Sequence, residues 1–141
     1  METDRDLETT LSGIIEGMGL SLVEASIGRH RGDVKVNLIL YKAGGIGLDD
    51  LTAAQKTLRP RLELIFDREN LSVEISSPGT SRTLKDPQEY RIFEGRRIKV
   101  LVGDDWVHGT IHSTDGNTVS LETDAGMHDF PISGIRKAKL E

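Results

Sequence analysis

Cysteine is absent from this chain, aromatic residues are scarce, and no long apolar run occurs. Without cysteine there is no disulfide, no zinc–thiolate site and no cysteine nucleophile, a composition that suits a reducing compartment. The aromatics are only Trp106, Tyr41, Tyr90, Phe66, Phe93 and Phe130, so the core has to be built mainly from Leu, Ile and Val. Apolar runs such as Leu38-Ile39-Leu40 fall far short of the ~20 residues that cross a bilayer. The opening Met1-Glu2-Thr3-Asp4-Arg5-Asp6 is polar and has no apolar targeting stretch, so the expected location is the cytoplasm. No Walker A sequence, Rossmann fingerprint or Gly-x-Ser-x-Gly nucleophile elbow is present.

What is present is an ordinary globular balance: 141 residues, 36% hydrophobic and 29% charged, with a net charge of −5. An acidic chain of this kind is not a general polyanion binder, so any nucleic-acid contact must come from local basic clusters.

The period of the apolar residues changes along the chain. Leu7, Leu11, Ile14, Ile15 and Met18 form a helical stripe over 4–19, closed by Gly17 and Gly19. A strand is predicted over 20–27 with Val23, Ala25 and Ile27 on one face, then a polar loop over 28–33. Val34, Val36, Leu38 and Leu40 mark the clearest strand. A second helix begins near Leu48-Asp49-Asp50, with a stripe of Leu51, Ala54, Leu58, Leu62 and Ile65. Pro60 lies inside it, where a kink or a division is expected. A third strand over 71–77 completes an α-β-β-α-β order with both helices on one face of the sheet.

Pro78-Gly79 then makes a turn with a physical basis, since Pro fixes φ and Gly permits positive φ. Asp86-Pro87-Gln88-Glu89 resembles a capping box that opens a short helical turn through Phe93. From Arg96 onward the period is two. Short strands are expected over 98–102, 107–113, 118–122, 127–132 and 135–140, with turns at Gly103-Asp104-Asp105, Asp115-Gly116-Asn117 and Asp124-Ala125-Gly126. The fold class is therefore α+β: an N-terminal α-β-β-α-β domain over 1–85 and a small β-barrel over 86–141.

Catalytic or metal chemistry finds little support. His108 and His112 share a predicted strand face, but their Cα atoms would lie ~13 Å apart, too far to share one ion. Asp49-Asp50 and Asp104-Asp105 sit at a helix start and in a hairpin turn, where both have structural explanations. No cofactor, metal or small-molecule substrate is expected. Gly44-Gly45-Ile46-Gly47 matches the GxxG pattern of KH domains, yet it joins a strand to a helix and reads as a plain turn.

Basic clusters remain: Arg29 and Arg31 with His30; Arg82 and Lys85 near the boundary; Arg96, Arg97 and Lys99 at the start of the barrel; Arg136, Lys137 and Lys139 at its end. Arg and Lys are the residues that phosphate contacts favour. Alternation with Val107 and Ile111 points Trp106 outward, either to cap the barrel end or pack on the first domain, or to serve as a partner anchor. Arg82 has two readings, a structural one that steadies the two domains and one that faces a partner.

The ordered set of motifs resembles one family, the bacterial ribosome maturation factor RimP. Val73-Glu74-Ile75-Ser76-Ser77-Pro78-Gly79 with Arg82 looks like its hallmark segment. Gly45-Ile46 with Leu48-Asp49-Asp50, Phe93-Glu94-Gly95-Arg96, Gly109 with Ile111, and Ile135-Arg136-Lys137-Ala138-Lys139-Leu140 are similar to its later motifs. The chain departs from the family at Thr80-Ser81-Arg82-Thr83-Leu84, where Leu-Asp-Arg-Pro-Leu is usual.

The resemblance implies a KH-like N-terminal domain and an SH3-like or Sm-like barrel. It implies a non-enzymatic monomer that binds the free small (30S) ribosomal subunit and assists its late assembly. The implied partners are ribosomal RNA and a ribosomal protein near the decoding centre, with no membrane contact. The contact candidates are Arg29, Arg31, Arg82, Lys85, Arg96, Arg97, Lys99 and Trp106. The competing expectation is a protein-interaction module built on the barrel, motivated by Trp106 and the acidic net charge.

Overall fold

A computed structural model describes residues 4–67 and 70–141; Met1–Thr3, at the polar start noted above, lie outside the described residues, as do 68–69. The chain forms two units, Met1–Pro78 and Gly79–Glu141. The division falls before the 85/86 boundary expected from sequence, because residues 82–84 bond into the second unit. The Leu84 amide donates to the Ala138 carbonyl at 2.9 Å, and the Leu140 amide donates to the Arg82 carbonyl at 2.9 Å.

The first unit runs α1 (Asp4–Gly17), β1 (Ser21–His30), β2 (Asp33–Tyr41), α2 (Leu48–Ile65) and β3 (Asn70–Ser76). Its three strands lie in the order β1-β2-β3, with β2 antiparallel to β1 and parallel to β3. Leu7, Leu11 and Ile15 of α1 and Ala54, Leu58 and Leu62 of α2 join Val34, Val36, Leu38 and Leu40 in one core. Both helices therefore cover one face of the sheet, as the periodicity predicted. At the end of α1 the Leu20 amide reaches back to the Ile15 carbonyl and the Gly19 amide to the Glu16 carbonyl, with Gly19 at φ 79. That is the Schellman pattern, and it needs the left-handed conformation that glycine adopts without strain.

Four sequence expectations change here. A bulge between Leu22 and Glu24 shifts the phase of β1, so Leu22, Ala25 and Ile27 face the helices while Val23 leaves that set. The expected loop over 28–33 is mostly strand. β1 continues to His30, and Arg31-Gly32, at φ 48 and 83, form a two-residue turn into β2. Pro60 does not divide α2, because Leu58 and Leu62 on either side of it are both fully buried in the same core. Ile65 is 42% exposed, and Phe66 after the helix is buried instead.

The second unit has α3 (Glu89–Ile92), β4 (Arg97–Val102), β5 (Asp105–Thr114), β6 (Thr118–Thr123), β7 (Gly126–Pro131) and β8 (Lys137–Leu140). All five strands pair antiparallel, in the order β7-β6-β5-β4-β8. Ile132, expected to end a strand, begins a 3-10 turn over Ile132–Gly134 instead. Tyr90, Phe93, Ile98, Val100, Ile111, Val119, Leu121, Ala138 and Leu140 are buried in this unit. Gly109 is a packing requirement: a Cβ there would stand 2.8 Å from the Glu122 carbonyl oxygen and 3.3 Å from the Leu121 Cβ.

Candidate nucleic-acid interface

The basic candidates of the first unit are largely committed to the fold. Arg29, now a strand residue, holds Asp4 of α1 through two hydrogen bonds of 2.9 and 2.8 Å, and its guanidinium lies 5.7 Å from the centre of the Phe66 ring. The Arg29 hydrogen bond holds the Asp4 carboxyl below the usual carboxylate range. Arg31 is exposed at the tip of the β1–β2 turn. The glycine-rich link is a turn, with the Gly45 amide donating to the Lys42 carbonyl at 2.9 Å. At the start of α2 the Gly47 amide donates to Asp50 Oδ2 at 2.9 Å, and Lys42 Nζ lies 3.1 Å from the same oxygen. These contacts hold the Asp50 carboxyl below its usual range and put a carboxylate where a phosphate would otherwise bind.

Arg82 is where sequence reasoning saw least. Its Nε donates to Glu89 Oε1 at 2.8 Å, and the two side chains are 8% and 1% exposed. Glu89 Oε2 accepts the Lys85 and Asp86 amides at 3.0 and 3.1 Å, and Asp86 Oδ1 accepts the Gln88 amide at 3.1 Å. The predicted capping box forms in half: Glu89 takes the Asp86 amide, but the Asp86 side chain takes the Gln88 amide and not that of Glu89, and the glutamate also neutralises a buried arginine. Burial, reinforced by the neighbouring Glu89 charge, pushes the adjacent Tyr90 hydroxyl up to about 12. This placement removes Arg82 from the surface candidates and anchors it inside the second unit. Lys85, beside it, is exposed.

Of the remaining candidates, Arg97, Lys99 and Trp106 share the outer face of β4, β5 and β8, together with Lys137 and Lys139. On β4, Ile98 and Val100 point inward, and Arg97, Lys99 and Leu101 alternate outward. Cross-strand register places Lys99 opposite His108 of β5 and opposite Lys139 of β8. Leu101 lies opposite Trp106 and Lys137. Trp106 is 39% exposed, and the Lys99 ammonium stands 4.8 Å from the centre of its ring. Trp106 thus points outward, as its alternation with Val107 and Ile111 predicted. Neighbouring strands are about 4.8 Å apart and alternate residues about 6.8 Å, so the patch spans about 10 by 14 Å.

One carboxylate interrupts this face. Glu141 takes Arg97 Nε at 3.4 Å and His108 Nδ1 at 2.6 Å. Among the described residues, no carboxylate pairs with Lys99, Lys137 or Lys139. Arg136 is tied to the β4–β5 turn, donating to the Gly103 carbonyl at 2.9 Å and lying 3.6 Å from Asp104. Arg96 is half-buried at the start of β4, where its amide donates to the Phe93 carbonyl at 2.9 Å. Lys137 and Lys139 joined the patch only through the β4–β8 pairing; the sequence showed them as one more basic cluster. No group of His, Asp and Glu suited to a metal ion occurs among the described residues.

Comparison with known proteins gives the chain a lineage. The model for the RimP N-terminal domain matches residues 10–81. The chain is 32% identical over 130 residues to the ribosome maturation factor RimP of Borrelia hermsii, covering 92% of this chain and 90% of the relative. The chain belongs to the RimP family. The factor of the same name from Borrelia turicatae is 30% identical over 130 residues, with the same coverage. The similarity to that of Borrelia recurrentis is 32% over 123 residues, covering 87% of this chain and 85% of the relative. The RimP relatives thus align across both units, and the family resemblance seen in the motifs holds. Among the described residues, no helix is long and apolar enough to cross a membrane.

Proposed function

We propose that this chain is a ribosome maturation factor that binds the free small (30S) ribosomal subunit and assists its late assembly without catalysing a reaction. The observation that carries this reading is its similarity to named ribosome maturation factors along both units. The lysines on the β4–β5–β8 face support it, because an acidic chain needs a local basic surface to meet a phosphate-rich partner. In this reading the two units act as separate domains. The first works as a KH-like module and the second as an SH3-like or Sm-like barrel. Lys85, Arg96, Arg97, Lys99 and Trp106 are contacts, with Arg31 and the outer edge of Arg29 as a lesser patch. The partners are ribosomal RNA and a ribosomal protein near the decoding centre, met in the cytoplasm by a monomer.

Sedimentation of cell extracts through sucrose gradients tests this. The protein should travel with free small subunits at low salt and be absent from translating ribosomes. A protein that stays at the top of the gradient at every salt concentration would sink the proposal. The exposed Trp106 favours a second reading, a protein-interaction module outside the ribosome. That module would bind with little salt dependence, whereas phosphate contacts weaken steeply as salt rises.

A further inference from the structure

The β4–β5–β8 face carries an arrangement that folding alone does not favour. Lys99 and Lys139 are direct cross-strand partners, and like charges in that position destabilise a sheet. One row further along lie Lys137 and Trp106, on either side of Leu101. An outward tryptophan bordered by lysines, with the cations in register about 6.8 Å apart along β8, matches what an extended polyanion with flat bases requires. The acidic turn Asp104-Asp105 lies next to Trp106 and closes the patch at that end, with Arg136 beside Asp104.

We propose that this face is a platform for single-stranded RNA, with Trp106 stacking on a base and Lys99, Lys137 and Lys139 contacting the flanking phosphates. The assignment rests on the ribosomal reading above and narrows it. RNA is favoured over an acidic protein segment because the surface pairs an aromatic ring with a ladder of cations. An extended peptide would instead look for an open strand edge, and the outer edge of β8, which ends this face, is taken by residues 82–84 through the Leu84 and Leu140 amides. Single strands are favoured over duplex because only an unpaired base leaves a face free to stack. The Lys99 ammonium rests 4.8 Å from the centre of the Trp106 ring, so a base stacking on that side would turn it toward the flanking phosphates.

Trp106 is the only tryptophan, so its fluorescence reports on this face alone. Titration of the full chain with an oligouridine decamer should quench it at low salt. A perfectly paired RNA duplex of equal length should quench it little. Three phosphate contacts predict an affinity loss of roughly 20-fold between 50 and 200 mM salt. By anisotropy of a labelled decamer, Trp106→Ala should weaken binding about 5- to 150-fold and Trp106→Phe much less.

Lys139→Thr separates this role from a structural one. It should weaken RNA binding while raising the urea midpoint of the second unit, because it removes a like-charge pair. Unquenched fluorescence, equal binding of duplex, unchanged affinity in Lys139→Thr, or equally tight binding of polyglutamate would each overturn the proposal. Failure here while the wild-type chain still travels with free small subunits counts against this face alone. Quenching without such co-sedimentation counts against the ribosomal reading alone.

Discussion

Arg29 and Arg82 each hold a carboxylate at 2.8 Å, yet the two pairs differ in consequence. The Arg29 and Asp4 side chains are 50% and 55% exposed, whereas those of Arg82 and Glu89 are 8% and 1% exposed. Water and salt screen the first pair, so its Coulomb gain barely exceeds the entropy lost in ordering two long side chains. The second pair has left water altogether, and each charge depends on the other. Distance describes a salt bridge, but burial decides what its loss does. The two units handle their basic residues accordingly. The first spends Arg29 on its own surface, and the second hides Arg82 while three lysines on one face have no carboxylate partner among the described residues.

The sharpest way to break this comparison is Arg82→Ala. It strands the Glu89 carboxylate in a buried site and should cost about 3–5 kcal/mol. Urea unfolding of the full chain, followed by the fluorescence of Trp106, reads the second unit. A loss no larger than that of Arg29→Ala would erase the distinction. Replacing both partners, as in Arg82→Leu with Glu89→Leu, should recover only part of the stability. The stranded charge is gone, but the Lys85 and Asp86 amides have lost their acceptor.

Next in size is Gly109→Ala. The added methyl meets the Glu122 carbonyl and the Leu121 Cβ, which belong to the neighbouring strand and cannot swing aside. Overpacking of this kind costs about 1–3 kcal/mol. The same Trp106 unfolding curve should show it, and an unchanged midpoint would mean that β5 and β6 can part without penalty.

Much of this was legible in the sequence where the signal was local. Val34, Val36, Leu38 and Leu40 alternate without interruption, and each is fully buried or nearly so. Trp106 pointed outward because Val107 and Ile111 pointed in. The misses have physical causes of their own. The bulge at Leu22–Glu24 adds one residue to a strand and inverts its phase, which no count of alternation from a single end reveals. Arg31 is an unusual residue for a position with positive φ, so the tight turn did not announce itself. Glu89 had a sufficient role as a helix cap, and that hid its second oxygen's partner. Lys139 meets Lys99 only because β8 returns to pair with β4, a contact between residues distant in sequence. The candidate surface was readable as four separate clusters, and topology selected which of them share a face.

Arg31→Asn is the milder probe, and it acts on the first unit. Arg31 sits at φ 48, a conformation that costs an ordinary side chain about 1 kcal/mol. Asn tolerates it and suits the first position of an Asn-Gly hairpin turn. The substitution should stabilise the first unit by about 0.5 kcal/mol, seen as a higher urea midpoint in its helical circular dichroism. Because it also removes an exposed cation, it sharpens the contrast between the units. Co-sedimentation with small subunits that survives Arg31→Asn would show that Arg31 is not needed for the contact. Its loss would restore the first unit as a contact.

The smallest effect is expected from Arg29→Ala. Near neutral pH the urea midpoint should stay within the scatter of replicate measurements, since both partners return to water. The pair should be visible instead in acid. Asp4 has its carboxyl pKa lowered from the usual 3.8, first by the Arg29 hydrogen bond and further by its charge. A lowered folded pKa gives stability that is complete above the unfolded value and fades as pH falls through the folded one. The wild-type chain should therefore lose slightly more stability than Arg29→Ala as pH is taken from 5 to below 3.8. Added salt should shrink that difference, because the charges are exposed. A large midpoint loss at pH 7 would show that Arg29 matters through its stacking on Phe66, making packing rather than charge the work of the exposed pair.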